Sequence, residues 1–191
     1  MTDLPIERVL LESIDQIERL GIDYAVMGGF AARAWGLPRP TFDADIAIAA
    51  DPETLQRLFA AFEEAGFDVP PEHKTGFLDN VGGFQKASVN RFADQHVWST
   101  DLFLVQGAFL RSALDRARNA SIGYQQVRVM APEDLILLKL IASRRKDLAD
   151  IEEIVTICQS LDMPYLRQWA SKLGITDRLV QFFPTPPPSD G

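Results

Sequence analysis

The chain has 191 residues, of which 47% are hydrophobic and 24% charged, which is typical of one globular domain with a small appendage. Its net charge of −8 argues against a general nucleic-acid binder, and its single cysteine excludes disulfide frameworks and multi-cysteine zinc sites. The apolar runs are far shorter than the ~20 residues of a membrane helix, and the acidic N-terminus does not resemble a signal peptide. We therefore expect a cytoplasmic protein without a membrane partner.

Hydrophobic periodicity predicts short helices and strands in turn, and Pro70-Pro71 with three glycines predicts a loop or irregular hairpin at 70–83. The strands fall mostly in the first two thirds of the chain, which predicts an α+β fold: a small mixed sheet flanked by helices, with a C-terminal helical layer. In chain order, the predicted elements are helix 4–20, strand 24–27, helix 30–35, strand 42–49, helix 52–65, strands 84–91 and 95–105, helix 107–118, strand 123–130, and helices 132–143, 147–160, 163–172 and 175–182.

The same pattern predicts how the chain is organised into domains. We place one domain over residues 1–160 and a helical extension over 161–183. The last segment, 184–191, is rich in proline and is expected to be a disordered tail.

Two glycines and two aspartates form a pattern with chemical meaning. Gly28 and Gly29 separate a strand from a helix, where backbone N–H groups and the helix dipole favour phosphate. Thirteen residues (30–42) separate them from Asp43-Ala44-Asp45. Because side chains alternate along a strand, Asp43 and Asp45 share one face at a spacing of ~6–7 Å, which suits a hard divalent cation.

Asp101 is a third carboxylate, and it lies inside an apolar strand where an unpaired charge is costly. If this strand lies beside the strand of Asp43 and Asp45, the three carboxylates converge and Mg²⁺ or Mn²⁺ relieves their repulsion. A phosphate cradle beside a metal site with oxygen ligands is suited to phosphoryl or nucleotidyl transfer.

The segments MGG (27–29) and DADI (43–46), with the later Asp101, resemble the nucleotidyltransferase superfamily that includes DNA polymerase β, kanamycin-type resistance enzymes and minimal nucleotidyltransferases. The segments RPTFDADI (39–46) and PEDLILLK (132–139), the latter continuing to Ile151, are similar to the AbiEii/AbiGii toxin-type branch. The resemblance covers residues 22–155 and implies the nucleotidyltransferase fold.

The resemblance also implies an activity: transfer of a nucleoside monophosphate from a nucleoside triphosphate to an acceptor hydroxyl, with release of pyrophosphate and with Mg²⁺ or Mn²⁺ as cofactor. Asp43 and Asp45 would hold the metal, and Asp101 would hold a second metal or activate the hydroxyl. Lys139 would contact the triphosphate or the charge of the transition state. The remaining nucleotide-binding residues that it implies are Gly28, Gly29, Arg39, Thr41, Arg144, Asp147 and Asp150.

Three functions stay open at this stage. In the first, the enzyme modifies an RNA, such as a tRNA end in a toxin–antitoxin system. In the second, the enzyme modifies a small molecule or a protein. The third reading is a non-catalytic nucleotide-binding module, as an antitoxin or a domain that binds a partner protein would be. The three carboxylates favour a catalytic function, because their mutual repulsion is unfavourable and an inactive site would gain nothing from keeping them together. The acidic chain favours short contact with the 3′ end of an RNA over extended binding.

Overall fold

The structure is a computed structural model, which describes residues 5–37, 40–93 and 95–184. None of the helices in these ranges combines the length and the apolar character needed to cross a membrane. The helices are α1 Pro5–Arg19, α2 Gly28–Ala34, α3 Pro52–Glu64, α4 Pro71–Lys74, α5 Gly107–Asp115, α6 Pro132–Ala142, α7 Arg145–Ile157, α8 Met163–Lys172 and α9 Thr176–Phe182. The strands are β1 Tyr24–Met27, β2 Asp43–Ile48, β3 Asp79–Val81, β4 Phe84–Ala93, β5 His96–Leu104, β6 Arg118–Ile122 and β7 Gln125–Val129.

The chain divides into two compact units, which we call the sheet unit (Met1–Ala131) and the helical unit (Pro132–Gly191). The division differs from the predicted boundary at residue 160, which falls inside the helical unit. Helix α6 packs against both α7 and α8 within the helical unit. The domain boundary at residue 160 stays a prediction. The predicted tail lies outside the described residues from 185 onward.

The sheet unit is built on a mixed sheet of strand order β3-β4-β5-β2-β1-β7-β6. Strand β2 is parallel to β5 and antiparallel to β1, while β1 is parallel to β7. The outer pairs β3–β4, β4–β5 and β6–β7 are antiparallel hairpins. The prediction of an α+β fold with a mixed sheet is thus confirmed, and β2 lies near the middle of the sheet.

The two faces of β2 and β5 differ in chemistry because side chains alternate along a strand. Ala44 and Thr100 are fully buried, and the hydroxyl of Thr100 lies 3.0 Å from that of Ser13 on α1. Helix α1 therefore covers this face. The opposite face carries Asp43 and Asp45, and we call it the aspartate face.

Two parts of the sequence-based assignment need correction. The predicted helix 107–118 ends at Asp115. Residues 118–122, for which the sequence predicts no strand, form β6. They pair with β7 across a turn at Gly123, where φ is +57°. The predicted loop at 70–83 contains α4 and β3, and β3 is an edge strand completed by pairing with β4.

Candidate functional site

Gly28 lies at the junction of β1 and α2, against the carboxylate of Asp45. Its φ is +63°, a conformation that side chains with a Cβ rarely adopt. A Cβ on Gly28 would lie 1.9 Å from Oδ2 of Asp45, and a Cβ on Gly29 would lie 2.4 Å from the hydroxyl oxygen of Thr41. The two glycines therefore make room for side chains from the loop before β2 and from β2 itself.

Replacing Gly28 with alanine is expected to destabilise the protein more than the same change at Gly21. Gly21 has φ +66°, nearly the same as Gly28, but a Cβ there would have no atom within 4 Å. We expect Gly21→Ala to cost about 1–2 kcal/mol from backbone strain alone. Gly28→Ala adds the displacement of Asp45, so its loss of unfolding free energy in urea titrations should be clearly larger. Equal losses of unfolding free energy in the two variants would mean that the Asp45 carboxylate does not limit the space for a Cβ at position 28.

Thr41 and Asp43 are linked by a local contact. Thr41 is buried, and its hydroxyl lies 3.1 Å from both the carbonyl oxygen and Oδ1 of Asp43, so its proton can be donated to either. Asp43 itself is exposed, while Asp45 is half-buried. Thr41 therefore orients the exposed carboxylate of Asp43 without covering it.

Asp101 shares the aspartate face with Asp43 and Asp45. The parallel pairing of β2 and β5 places Asp45 opposite Asp101. Both carboxylate oxygens of Asp101 accept hydrogen bonds from β4: the Lys86 ammonium donates to Oδ2 at 2.8 Å, and the Ser88 hydroxyl donates to Oδ1 at 2.7 Å. The charge of Asp101 is thus balanced within the protein by Lys86.

Sequence reasoning missed Lys86 and Ser88, although a signal for them was present. The strand predicted at 84–91 alternates polar Lys86 and Ser88 with Ala87 and Val89, both of which are fully buried. This alternation shows that the two polar residues share a face. Only the pairing of β4 with β5 shows that this face meets Asp101.

Asp43 and Asp45 are suited to hold one hard cation, whereas the three aspartates together do not form a three-carboxylate metal site in the described part of the chain. In the part of the chain that the structure describes, no three His, Cys, Asp or Glu side chains form a group that could hold a metal ion. Asp43 and Asp45 nevertheless offer oxygen donors from one face of one strand. Mg²⁺ is commonly bound by one or two carboxylates together with water and substrate phosphates, so this pair fits it.

The helical unit contains a second group of charged residues, the ion cluster formed by Lys139, Arg144, Asp147 and Asp150. Lys139 is only 8% exposed, and its ammonium contacts Asp150 and lies 3.9 Å from Oδ1 of Asp147. Arg144 donates to Asp147 through Nε at 2.7 Å and through its backbone N–H at 3.1 Å. Two cations balance two carboxylates, so the ion cluster has no formal net charge.

The pKa of Asp147 lies below its usual value. Burial raises this pKa, but the hydrogen bonds and positive charge of Arg144, together with the charge of Lys139, lower it by more in total. A depressed pKa contributes stability above the unfolded-state pKa of about 3.9, and this contribution is lost as the pH falls through the folded-state value.

We therefore expect Asp147→Asn to flatten the acid limb of the stability profile. The unfolding free energy of the unmodified protein should fall between about pH 5 and pH 2 partly because Asp147 takes up a proton. Urea titrations of both proteins across this range measure the difference in slope. Parallel profiles would show that Asp147 does not contribute to acid unfolding.

The structure thus brings the predicted residues together in two groups, each within its own unit. Gly28, Gly29, Thr41, Asp43, Asp45 and Asp101 belong to the sheet unit, and Lys139, Arg144, Asp147 and Asp150 belong to the helical unit. Arg39 lies outside the described residues.

Part of the chain matches the model of a known protein family. Residues 108–178 match a family described as "Nucleotidyltransferase of unknown function (DUF6036)". A search of curated proteins found no match.

Solved structures share the fold across most of the chain. The antibiotic-resistance factor ANT(2'')-Ia has a TM-score of 0.63 at 14% identity, with 95% of this chain and 100% of that chain covered. ANT(2'')-Ia in complex with adenylyl-2''-tobramycin gives 0.61 at 14% identity, covering 88% and 98%. An antigenic nucleotidyltransferase-like protein from Paracoccidioides brasiliensis gives 0.51 at 19% identity, covering 93% and 90%. These likenesses confirm the predicted nucleotidyltransferase fold, while the toxin-type branch stays a prediction.

Proposed function

We propose that this protein is a metal-dependent nucleotidyltransferase, which moves a nucleoside monophosphate from a nucleoside triphosphate to an acceptor hydroxyl and releases pyrophosphate. The observation that carries the proposal is the position of Asp43 and Asp45 on one face of β2, with Asp45 against Gly28 and opposite Asp101. The nucleotidyltransferase fold and the family match of residues 108–178 support it.

Asp43 and Asp45 are proposed to hold the divalent cation, Mg²⁺ or Mn²⁺. When bound, such a cation neutralises phosphate charge and makes the phosphorus more electrophilic. Thr41 keeps Asp43 oriented by hydrogen bonding, and Gly28 leaves the space that the Asp45 carboxylate needs. The geometry of the two ligands is therefore set by residues that do not themselves contact the cation.

Asp101 is proposed to accept the proton of the acceptor hydroxyl. Each carboxylate oxygen has two lone-pair positions, so the hydrogen bonds from Lys86 and Ser88 leave acceptor capacity. In the transfer step the hydroxyl oxygen forms a bond to the α-phosphorus, and the bond from that phosphorus to the bridging oxygen breaks. The electron pair of that bond leaves with pyrophosphate, and the hydroxyl proton passes to Asp101.

The nucleotide-binding roles of Arg39 and of the ion cluster in the helical unit stay predictions. Within the ion cluster, Lys139 is buried against Asp150, whereas the Arg144 side chain is 60% exposed. Arg144 is therefore the member best placed to contact a phosphate from solvent, and we assign Lys139, Asp147 and Asp150 to positioning it.

The acceptor is proposed to be either an RNA end or a cationic small molecule. A structure of ANT(2'')-Ia holds adenylyl-2''-tobramycin, which makes aminoglycosides the first small molecules to test. The net charge of −8 favours a cationic acceptor, because a negatively charged protein attracts a cationic molecule and repels a long RNA. An RNA would then be bound only near its 3′ end.

A labelling experiment tests the proposed activity and the acceptor together. Each of the four nucleoside triphosphates, labelled at the α-phosphate, is incubated with Mg²⁺ and the protein in the presence of total RNA, a protein extract or an aminoglycoside panel. We expect label in one acceptor fraction, dependent on Mg²⁺ and lost with Asp45→Asn. Nucleotide binding without transfer to any fraction would favour the non-catalytic module instead.

A further inference from the structure

Two large apolar side chains are exposed near the end of the hairpin formed by β4 and β5, and we call this pair the apolar platform. Phe92 and Val97 lie opposite each other in the register of the two strands. They are 65% and 58% exposed. Both side chains therefore leave apolar surface in contact with water, and a ligand that covered this surface would gain binding free energy.

The apolar platform lies on the aspartate face of the sheet. Side chains alternate along a strand, so Val97 shares its face of β5 with Asp101, and Phe92 lies beside Val97. The neighbouring residue Arg91 must then point to the opposite face. It does so, because its guanidinium pairs with Glu12 of α1, the helix that covers that face.

The platform lies on the side of the site from which we expect the acceptor to approach. The cation proposed for Asp43 and Asp45 would hold the phosphates beside β2, and Asp101 on the neighbouring strand β5 would take the proton of the attacking hydroxyl. The attacking and leaving oxygens lie in line on opposite sides of the phosphorus, so the acceptor extends away from the pyrophosphate. The strand beyond β5, on the side away from β2, is β4.

Two polar residues lie between the platform and Asp101. Asn90 and Ser99 pair with each other across β4 and β5, are half-buried, and belong to the aspartate face. Val97 lies four residues before Asp101, which is ~13 Å along the strand. This stretch of the face is long enough for a nucleoside, and the amide and hydroxyl of the two polar residues can hydrogen-bond a ribose hydroxyl or a base edge.

We propose that the apolar platform binds a nucleobase at the 3′ end of an RNA, whose terminal ribose hydroxyl is the acceptor. The proposal rests on the proposed function, because it names the acceptor of that same site. A base is uncharged and stacks on an aromatic ring whatever its identity, so the net charge of −8 does not oppose this contact. An aminoglycoside has several positive charges and no aromatic ring, so Phe92 and Val97 suit a base better.

A short single-stranded RNA with 2-aminopurine at its 3′ end tests the proposal without any transfer step, because stacking quenches the fluorescence of this base. We expect quenching when the unmodified protein is added with no nucleoside triphosphate present. Phe92→Ser should weaken the affinity roughly tenfold or more, since stacking on an aromatic side chain contributes that much to binding. Phe92→Trp keeps an aromatic ring and should retain the affinity of the unmodified protein.

Tyr124→Ser is the matched control. Tyr124 is 81% exposed in the turn between β6 and β7, at the other edge of the sheet, so its loss should leave the affinity unchanged. The same RNA with 2-aminopurine at its 5′ end should show much weaker quenching. Equal affinity in Phe92→Ser and the unmodified protein, or no quenching at the 3′ end, would overturn the inference.

Failure of the inference and failure of the proposed function give different results. If the 3′ base is not bound but label passes to another acceptor, and that transfer is lost with Asp45→Asn, the inference is wrong and the proposed function survives. If the base binds through Phe92 and no acceptor fraction is labelled, the platform binds a base as inferred and the proposed function is contradicted.

Discussion

Asp45→Asn is expected to lower the rate of nucleotidyl transfer by roughly a thousandfold or more, since loss of a charged contact to the reacting centre costs about 4 kcal/mol or more. The amide keeps the shape of the carboxylate beside Gly28 but removes the negative charge that holds the cation. The variant should remain folded, because asparagine has nearly the same size and shape as aspartate. Transfer of label at saturating nucleotide, with urea unfolding of the same samples, measures both effects.

Asp115→Asn is the matched control for this prediction. Asp115 ends α5 with an exposed side chain, so the same change of charge there should leave the rate within about twofold. If Asp45→Asn keeps more than a tenth of the activity, Asp45 does not hold the cation.

Lys139→Met is expected to destabilise the protein by about 3–5 kcal/mol, because it leaves the buried carboxylates of Asp150 and Asp147 without their shared cation. Methionine keeps most of the apolar stem, so the loss reports the charge and not the packing. Urea unfolding at neutral pH measures the change, and a loss of this size exceeds that of a typical point mutation.

The double variant Lys139→Met with Asp150→Asn separates a charge effect from a packing effect. Removing both charges should recover much of the lost stability, since the penalty arises from removing only one member of a buried ion pair. If the losses of the two single variants add, the residues do not act as a pair. A loss below about 1 kcal/mol in Lys139→Met would show that water solvates the ion cluster.

Local chemistry made much of the fold and part of the site predictable. Helix α3 begins as expected: Asp51 accepts a hydrogen bond from the Thr54 N–H at 2.7 Å, and Pro52 follows the N-cap. The alternation of polar and apolar residues around Asp43 and Asp45 predicted that both aspartates lie on one face of a strand. In the structure both lie on the same face of β2. Each of these features depends on neighbours within a few residues.

Features that depend on strand register could not be predicted in the same way. The contact of Asp45 with Gly28 joins β2 to the first residue of α2, and the pair formed by Lys86 and Asp101 spans a hairpin. Neither contact therefore has a signature within one segment of the sequence. The sequence indicates that the negative charge of Asp101 must be balanced, and we expected Mg²⁺ or Mn²⁺ to balance it. The structure shows that a lysine from the neighbouring strand supplies that positive charge.

Ligand-dependent stability is the measurement that tests most directly whether Asp43 and Asp45 bind a metal-nucleotide complex. A nucleoside triphosphate with Mg²⁺ at ~100 times its Kd should raise the unfolding free energy of the unmodified protein by about 2.7 kcal/mol. Asp43→Asn and Asp45→Asn should each lose most of this gain while remaining folded. Equal gains in the unmodified protein and in both variants would contradict the account, because the metal-nucleotide site would then lie elsewhere.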